Sequence, residues 1–392
     1  MKKLVTLLAV GLFSLALAQT PGVTDDEIRI GTWGPQSGPA AAWGTVTTAI
    51  DAYFQYINDN GGIDGRNLVL VSRDDGYDPA RSVAAARELA DRENVFAFVG
   101  GVGTAPGLAV MPIVQRQGIP WVSPATGSGA FAEQSNGLVF ATYTNYEIES
   151  ALMTRYAAEE LGDSSVAVFY QNDDYGAEGL LGVEEEIARL QEVGTEVELV
   201  DTVTHERGET NMAVQALRLA ESGADAVVIY TTPAAAAALI SEFQTLEYAP
   251  RILASSTLLD PSLLANPGMQ GALLASFLRL PTAIVGEGNG DPIADDALIN
   301  IVAAYAPEAA QDPFRALAGV GFAQPLVEGL RATGEDLTRE SFLEAMSGLS
   351  GYDTGMFANI GFTEGYQGNN SILLLQMTPE GLRTASDGFI TF

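Results

Sequence analysis

Cysteine is absent from the 392 residues, and histidine occurs once, at His205. The first absence excludes disulfides, thiolate metal sites, thiol nucleophiles and a lipid-modified N-terminal cysteine. The second leaves almost no room for imidazole metal sites or histidine-based triads. Lysine is confined to Lys2 and Lys3, and positive charge is scarce: 19 Lys+Arg face 50 Asp+Glu, for a formal net charge of −31. Such a field repels nucleic acid and anionic lipid, which argues against any polyanion partner. Several large enzyme classes are disfavoured by these absences alone. Apolar matter is plentiful, with 47% hydrophobic and 8% aromatic residues, enough for a core and contrary to disorder. The length exceeds one ordinary core and favours two domains or one large α/β domain.

Long uncharged runs are also missing, except at the start. Lys2 and Lys3 precede an apolar run from Leu4 to Ala18 that ends in the small-x-small pattern Ala16-Leu17-Ala18. Residues 1–18 read as a secretory signal cleaved after Ala18. The competing reading, an uncleaved anchor, suffers from a run too short and wrongly flanked for a span. Cleavage removes both lysines and leaves seventeen arginines against fifty acids, a difference of −33. The processed chain is expected to be soluble and, with no lipid anchor, to reside in the periplasm of a double-membraned bacterium.

From Glu27 onward short apolar runs alternate with longer amphipathic stretches. Strands are predicted at Ile28–Gly31, Leu68–Val71, Phe96–Gly100 and Trp121–Val122, with helices at Trp43–Asn60, Pro79–Arg92 and Ala105–Gln117. Asp78 is placed to cap the second helix with Pro79 at its first position, and Gly61-Gly62 to end the first. The rhythm restarts with strands at Val166–Tyr170, Glu198–Val203, Ala226–Tyr230 and Ile252–Ala254, separated by helices Tyr175–Val193, Asn211–Ser222 and Pro233–Leu246. A Rossmann-like sheet is complete by about 150 residues, so this is a second sheet. Parallel sheets covered on both faces by helices are the expected class, α/β. A loop-rich stretch (Gly286–Pro292) leads to helices at Ala294–Tyr305, Phe314–Ala332 and Arg339–Gly348 and a strand at Ile372–Gln376. These late pieces look like parts returned to the earlier domains.

The motifs sit at strand ends. Gly34-Pro35-Gln36-Ser37-Gly38-Pro39 follows the first strand and is either an anion-attracting turn or an ordinary βα loop. Trp43 stands one turn later, as a ligand-facing aromatic or as core. Gly100-Gly101-Val102-Gly103-Thr104-Ala105-Pro106-Gly107 imitates a dinucleotide fingerprint. Pro106 inside it, the lack of an acidic ribose partner and secretion away from NAD(P) pools argue against a nucleotide; no cofactor and no metal is expected. A small carboxylate needs the same donors: backbone N–H groups, a hydroxyl and a helix N-terminus. Ser123-Pro124-Ala125-Thr126-Gly127-Ser128 offers a second such loop, for binding or for simple capping. Across the second sheet, Asn172-Asp173-Asp174-Tyr175-Gly176, Tyr230-Thr231-Thr232-Pro233 and Ser255-Ser256-Thr257 occupy the matching strand ends. Asp173 and Asp174 read as helix caps ahead of a catalytic dyad or metal ligands. His205, among polar neighbours, reads as part of a solvated loop.

Val23-Thr24-Asp25-Asp26-Glu27-Ile28-Arg29-Ile30-Gly31 with Ser37-Gly38-Pro39 resembles the opening of periplasmic binding proteins for branched-chain amino acids. Ile57-Asn58, Gly61-Gly62-Ile63, Gly65-Arg66, Asp74-Asp75, Asp78-Pro79, Gly118-Ile119-Pro120, Ser123-Pro124 and Tyr175-Gly176 extend the resemblance over essentially the whole processed chain. It implies the type I binding-protein fold, two Rossmann-like lobes joined by a three-crossover hinge that closes on a ligand. The implied lobes are 23–142 plus 280–356 and 146–276 plus 362–392, with crossovers near Thr142–Tyr146, Ser276–Thr282 and Gly355–Thr363. The carboxylate-holding groups carry over to Gly103, Thr104 and Ala125 through Ser128, with Thr126 or Ser128 as hydroxyl donor. Trp43 and Tyr175 match ligand-packing aromatics. Three positions depart from the pattern: Ser256 where amino-acid binders place a glutamate for the ammonium, Tyr146 at an acidic hinge position, and Thr231-Thr232 in place of a tyrosine-bearing turn.

The resemblance implies the solute-binding component of an ABC importer, a monomer docking on a membrane permease. Its solute would carry a carboxylate, as a branched-chain amino acid or a related non-amino or aromatic acid. The alternative is a sensor of the same fold that signals to a partner. A secreted enzyme using Asp173 or Asp174 is a third class, without histidine or cysteine to support it.

Overall fold

The computed structural model describes residues 20–285 and 295–391. The signal reading of residues 1–18, the loop reading of Gly286–Pro292 and the helix start at Ala294 lie outside them. The first half runs β1 (Glu27–Gly34), α1 (Gly44–Asp59), β2 (Asn67–Asp74), α2 (Pro79–Asp91), β3 (Ala97–Val99), α3 (Thr104–Gln117), β4 (Trp121–Val122), α4 (Ala130–Glu133) and β5 (Val139–Phe140). Then come α5 (Tyr146–Glu159), β6 (Ser165–Gln171), α6 (Asp174–Glu192), β7 (Glu198–His205), α7 (Ala213–Ser222), β8 (Ala226–Tyr230), α8 (Pro233–Thr245), β9 (Arg251–Ala254), α9 (Pro261–Leu264) and β10 (Leu273–Ser276). The chain ends with α10 (Thr282–Val285), α11 (Asp296–Tyr305), α12 (Pro313–Thr333), α13 (Arg339–Ser347), β11 (Leu373–Thr378) and β12 (Gly381–Thr384).

Two sheets form. The first is wholly parallel in the order β2-β1-β3-β4-β5. The second is ordered β12-β11-β10-β9-β8-β6-β7, parallel except where β11 pairs antiparallel with β10 and β12. Side-chain burial follows position in the sheet. All of β8, a central strand, is buried, as a parallel strand covered on both faces must be, whereas β2 and β7 at the edges are mostly half-exposed. This is the two-lobe type I fold, and the chain crosses between the sheets three times, after β5, after β10 and before β11.

Local chemistry sets the boundaries. The Asp78 carboxylate accepts from the Ala80 and Arg81 amides, with Pro79 at the first helical position of α2, a cap typically worth about 1 kcal/mol. Helix α1 stops where the Gly62 amide donates back to the Ile57 carbonyl at 2.9 Å. On one face of the first sheet Trp33 packs edge to face on Phe98 and Trp121 on Phe131, with the two indoles tilted against each other, and the Trp121 indole N–H donates to the Gly100 carbonyl. The late helix α12 packs on α1; near its start the fully buried Arg315 pairs with Asp312 and reaches Asp260, the cap of α9 below the second sheet.

Three expectations change. Helix α5 was not foreseen, nor were strands β5, β10 and β12. His205 is not in a solvated loop: it ends β7, is 3% exposed and stacks on Phe169 with ring centroids 5.0 Å apart. An apolar partner under the ring and hydrogen bonds at both nitrogens outweigh its polar sequence neighbours.

Candidate functional site

Loops leaving the carboxyl ends of strands in both sheets converge on one cleft, where open α/β sheets place ligands. It holds about 410 Å3 of empty space, part of it open to solvent. The first wall comprises Ala40, Trp43, Tyr77, Val102, Gly103, Thr104 and Ala125. Tyr146, Tyr175, Thr231, Thr232, Pro233 and Thr257 form the other. No residue of either wall carries a charge.

On the first wall, Gly103 precedes α3 at φ +100°, and a Cβ there would fall 2.5 Å from the Tyr77 ring; only glycine fits. No side chain caps α3. Pro106 has no N–H and the Gly107 amide is spent on the Gly103 carbonyl, so the Thr104 and Ala105 amides remain as donors at a positive helix end. The Thr104 and Thr126 hydroxyls lie 2.7 Å apart. Thr126 therefore stands behind Thr104 and can orient it.

The opposite wall is a hydroxyl network. The Tyr175 hydroxyl lies 2.6 Å from Thr257 Oγ1 and 3.4 Å from the Thr231 carbonyl oxygen. The Thr231 hydroxyl meets His205 Nε2 at 2.5 Å, and His205 Nδ1 lies 2.9 Å from the Glu206 carbonyl oxygen. Burial raises the phenol pKa of Tyr77, Tyr146 and Tyr175 and lowers that of His205; the groups stay neutral near pH 7.

Trp43, Gly103, Thr104, Ala125, Tyr146, Tyr175, Thr231 and Thr232 thus come together, while Thr126, Gly127, Ser128 and Ser256 do not line the cleft. Gly127 is wedged against the Thr144 carbonyl and the Tyr146 ring. The Ser128 hydroxyl donates to the Glu178 carboxylate on α6. Ser256 faces away: its amide and hydroxyl both donate to Glu149, at 3.1 and 2.5 Å, and the Tyr230 hydroxyl adds a third bond at 2.9 Å. Glu149, wholly buried with its pKa raised by desolvation, lies one helical turn beyond Tyr146, the position that sequence pairing had matched to an acid. The neighbouring Asn145, which caps α5 with Glu147 and Glu149 in the first turn, was the available signal for it. Ala40 and Tyr77 were missed, and Val102, Pro233 and Thr257 stood in the motifs without being assigned to the site.

The remaining motifs resolve into structure. The donors of the Gly34–Pro39 turn are spent on the chain's own Asp74, whose carboxylate takes the Ser37 hydroxyl at 2.8 Å and the Gln36 amide at 2.9 Å. These bonds, Ser37 foremost, hold its pKa down at about 2. Asp173 caps α6 and binds Arg207 at 3.1 Å, and Asp174 is exposed. Arg207 also reaches Tyr77, its guanidinium 5.3 Å from the ring centroid and 3.5 Å from the carbonyl oxygen. Among the described residues no group of three or more His, Asp or Glu is placed to hold a metal ion. No described helix is long and apolar enough to cross a membrane.

Comparison with known proteins agrees with this fold. A family model described as periplasmic binding protein matches residues 27–382. Leu/Ile/Val-binding protein homolog 2 of Brucella abortus (strain 2308) is 25% identical over 218 residues, 55% of this chain and 57% of that protein. Homolog 3 of Brucella melitensis is 31% identical over 170 residues, 42% of this chain and 46% of that protein; the chain thus spans about half the length of the curated relatives it matches. Among solved structures, a fatty acid ABC transporter substrate-binding protein from Thermomonospora curvata aligns with TM-score 0.81 at 23% identity, covering 95% of both chains. A branched chain amino acid ABC transporter protein from Thermus thermophilus with bound valine aligns with TM-score 0.82 at 20% identity, covering 94% of this chain and 98% of that one. An R. palustris solute binding protein in complex with benzoate aligns with TM-score 0.77 at 18% identity, covering 92% and 96%. With both sheets, their crossovers and the matched span in agreement, the chain belongs to the periplasmic binding protein family and has its type I fold.

Proposed function

We propose that this chain is the extracytoplasmic solute-binding component of an ABC importer and that it captures a small carboxylate-bearing solute between its lobes. The lobes are assigned as 23–142 plus 280–356 and 146–276 plus 362–392. The observation that carries the reading is the uncapped start of α3, where two amides and the Thr104 hydroxyl meet at a cleft wall. A carboxylate is the group such a helix end accepts. Valine, benzoate and fatty acids, the solutes named for proteins of similar structure, have a carboxylate in common. Trp43, Tyr77, Tyr146 and Tyr175 supply aromatic surface for the rest of the molecule. Capture at the first wall comes first, closure of the second lobe buries the solute, and the closed form is what a membrane permease receives.

Calorimetry with a panel of amino acids, aliphatic acids and aromatic acids tests this. Binding of at least one carboxylate, lost in its amide or ester, is expected; binding confined to neutral sugars would overturn it. Permease and ATPase genes beside this one would support transport over sensing.

A further inference from the structure

We infer that His205, the one histidine of the chain, is a positioning residue that makes the second wall of the cleft accept hydrogen bonds at Thr231 rather than donate them, so that the solute is a carboxylate bearing a hydroxyl group. The inference rests on the carboxylate reading of the first wall and adds what the second wall demands.

The argument starts at Nδ1. It lies 2.9 Å from the Glu206 carbonyl oxygen, which can only accept, so Nδ1 holds the proton of the neutral ring. Nε2 is then a lone pair, and the Thr231 hydroxyl at 2.5 Å must donate to it. Among the described residues that hydroxyl meets no other side chain, and Thr231 lines the cleft. A solute that reaches this hydroxyl therefore meets an acceptor.

A second observation does not depend on His205. The Tyr175 and Thr257 hydroxyls are 2.6 Å apart, and each lies 3.4 Å from the Thr231 carbonyl oxygen. The Ser255 hydroxyl lies 3.3 Å from that of Tyr175 and 3.2 Å from that of Thr257, which closes a triangle of three hydroxyls. Each proton of the triangle has an acceptor within it or at that carbonyl, so lone pairs are what it can spare a guest. Of the threonines on this wall, only the half-buried Thr232 keeps a hydroxyl with no such partner.

Away from Thr232, which starts the uncapped helix α8 and can donate, this acceptor surface rejects a second carboxylate or a keto oxygen, because two lone pairs would face each other without water. It admits a hydroxyl or an ammonium. An ammonium also requires a counter-charge, and no charged residue lines the cleft; Glu149 is fully bonded behind Ser256 and Tyr230. The neutral donor is the better fit. Glu206, Glu209 and Asp173 face the imidazole and favour its protonation, while burial opposes it more strongly, so the neutral ring holds through neutral pH.

The single histidine makes the test direct. Protein labelled with nitrogen-15 histidine gives one imidazole in long-range nitrogen–proton spectra. The neutral Nδ1–H tautomer is expected at pH 7; an Nε2–H tautomer or a charged ring would overturn the inference. Calorimetry on the intact protein then compares hydroxyisocaproate with ketoisocaproate, isocaproate and leucine, and para-hydroxybenzoate with benzoate. The hydroxy acid of at least one set should bind about tenfold or more tightly than its keto or unsubstituted partner. His205→Phe, which frees the Thr231 proton, should erase that ratio without abolishing binding. Carboxylates that bind with no hydroxyl preference overturn this inference and leave the carboxylate reading standing. If no carboxylate binds, the carboxylate reading fails, and the tautomer still decides the polarity of the wall.

Discussion

Thr104 concentrates the carboxylate reading on one hydroxyl. Its neighbour Thr126, 2.7 Å away, accepts from the Ser128 amide and can donate to Thr104, which frees the Thr104 proton for a ligand. Thr104→Ala keeps the helix amides and removes one charge-assisted bond, so binding of whichever carboxylate the panel finds should weaken by about 1–3 kcal/mol. Unchanged affinity in calorimetry would place the carboxylate elsewhere. Ser256 leads to the opposite kind of result. Pairing by sequence put it in the cleft, where Ser256→Glu would create an ammonium site. In the structure it is buried against Glu149, so that substitution forces two carboxylates together away from water. A loss of stability of about 3 kcal/mol or more in urea unfolding is expected, with no gain in amino-acid preference. Thr104 and Tyr175 could be placed at strand ends because each follows a strand within about one turn of chain. Thr257 was not legible as a cleft residue: it differs from Ser256 by one residue within a 3-10 turn (Ser256–Leu258), and that step exchanges the residue facing the cleft for the one facing the core.

Helix α6 couples the two sides of the cleft, since its first turns supply Asp173 to Arg207, Tyr175 to the second wall and Glu178 to Ser128 beyond β4. Glu178 is the pH-sensitive member. Burial, only partly offset by the Ser128 bond, pushes its carboxyl up to about 7, with Glu147 and Asp174 adding to the rise, and its second oxygen is buried without a partner. A carboxyl with a raised pKa favours the contact state when protonated. The penalty of charging it is absent below its ordinary value of 4.5 and complete above about 7. Solute affinity should therefore tighten as pH falls from 8 towards 5.5, and Glu178→Gln should bind tightly and flatten that dependence. A wild-type affinity that ignores pH, or an equal slope in the variant, would refute the coupling. Most elements were legible from apolar periodicity and from caps such as Asp78. Helix α5 was not, because the face it buries includes Glu149, Ser150 and Thr154 beside Leu152 and Met153, which erases the apolar stripe that sequence reading relies on. Strands β4 and β5 have two residues each; β4 was visible through Trp121, while β5 falls below any pattern.

At the scale of the molecule, two sheets were legible from the restart of the βα rhythm, but the return of α12 to the first and of β11 and β12 to the second was not. Those contacts join residues more than a hundred positions apart, as where Gln376 pairs with Leu273 in the second sheet, and nothing local encodes them. The resemblance, rather than any pattern of spacing, supplied that topology. Charge is the other whole-molecule property. The arginines are largely committed: Arg29, Arg73, Arg155, Arg189, Arg218 and Arg251 each bind a carboxylate through their guanidinium within 3.0 Å or less. With 50 acidic residues against 19 basic ones, most carboxylates have no cationic partner and repel one another across the surface. Two salt effects then oppose each other. Screening weakens the ion pairs, most of which are partly exposed and worth about 0–1 kcal/mol each, and it also weakens the repulsion among the excess acids. The Debye length falls from about 30 Å at 0.01 M to about 8 Å at 0.15 M, so distant like charges are silenced first and contact pairs last. The repulsion should therefore win, and the melting temperature should rise on adding sodium chloride over that range, by calorimetry at pH 7.5. A melting temperature that falls with salt would mean that the arginine pairs, few as they are, dominate the surface electrostatics.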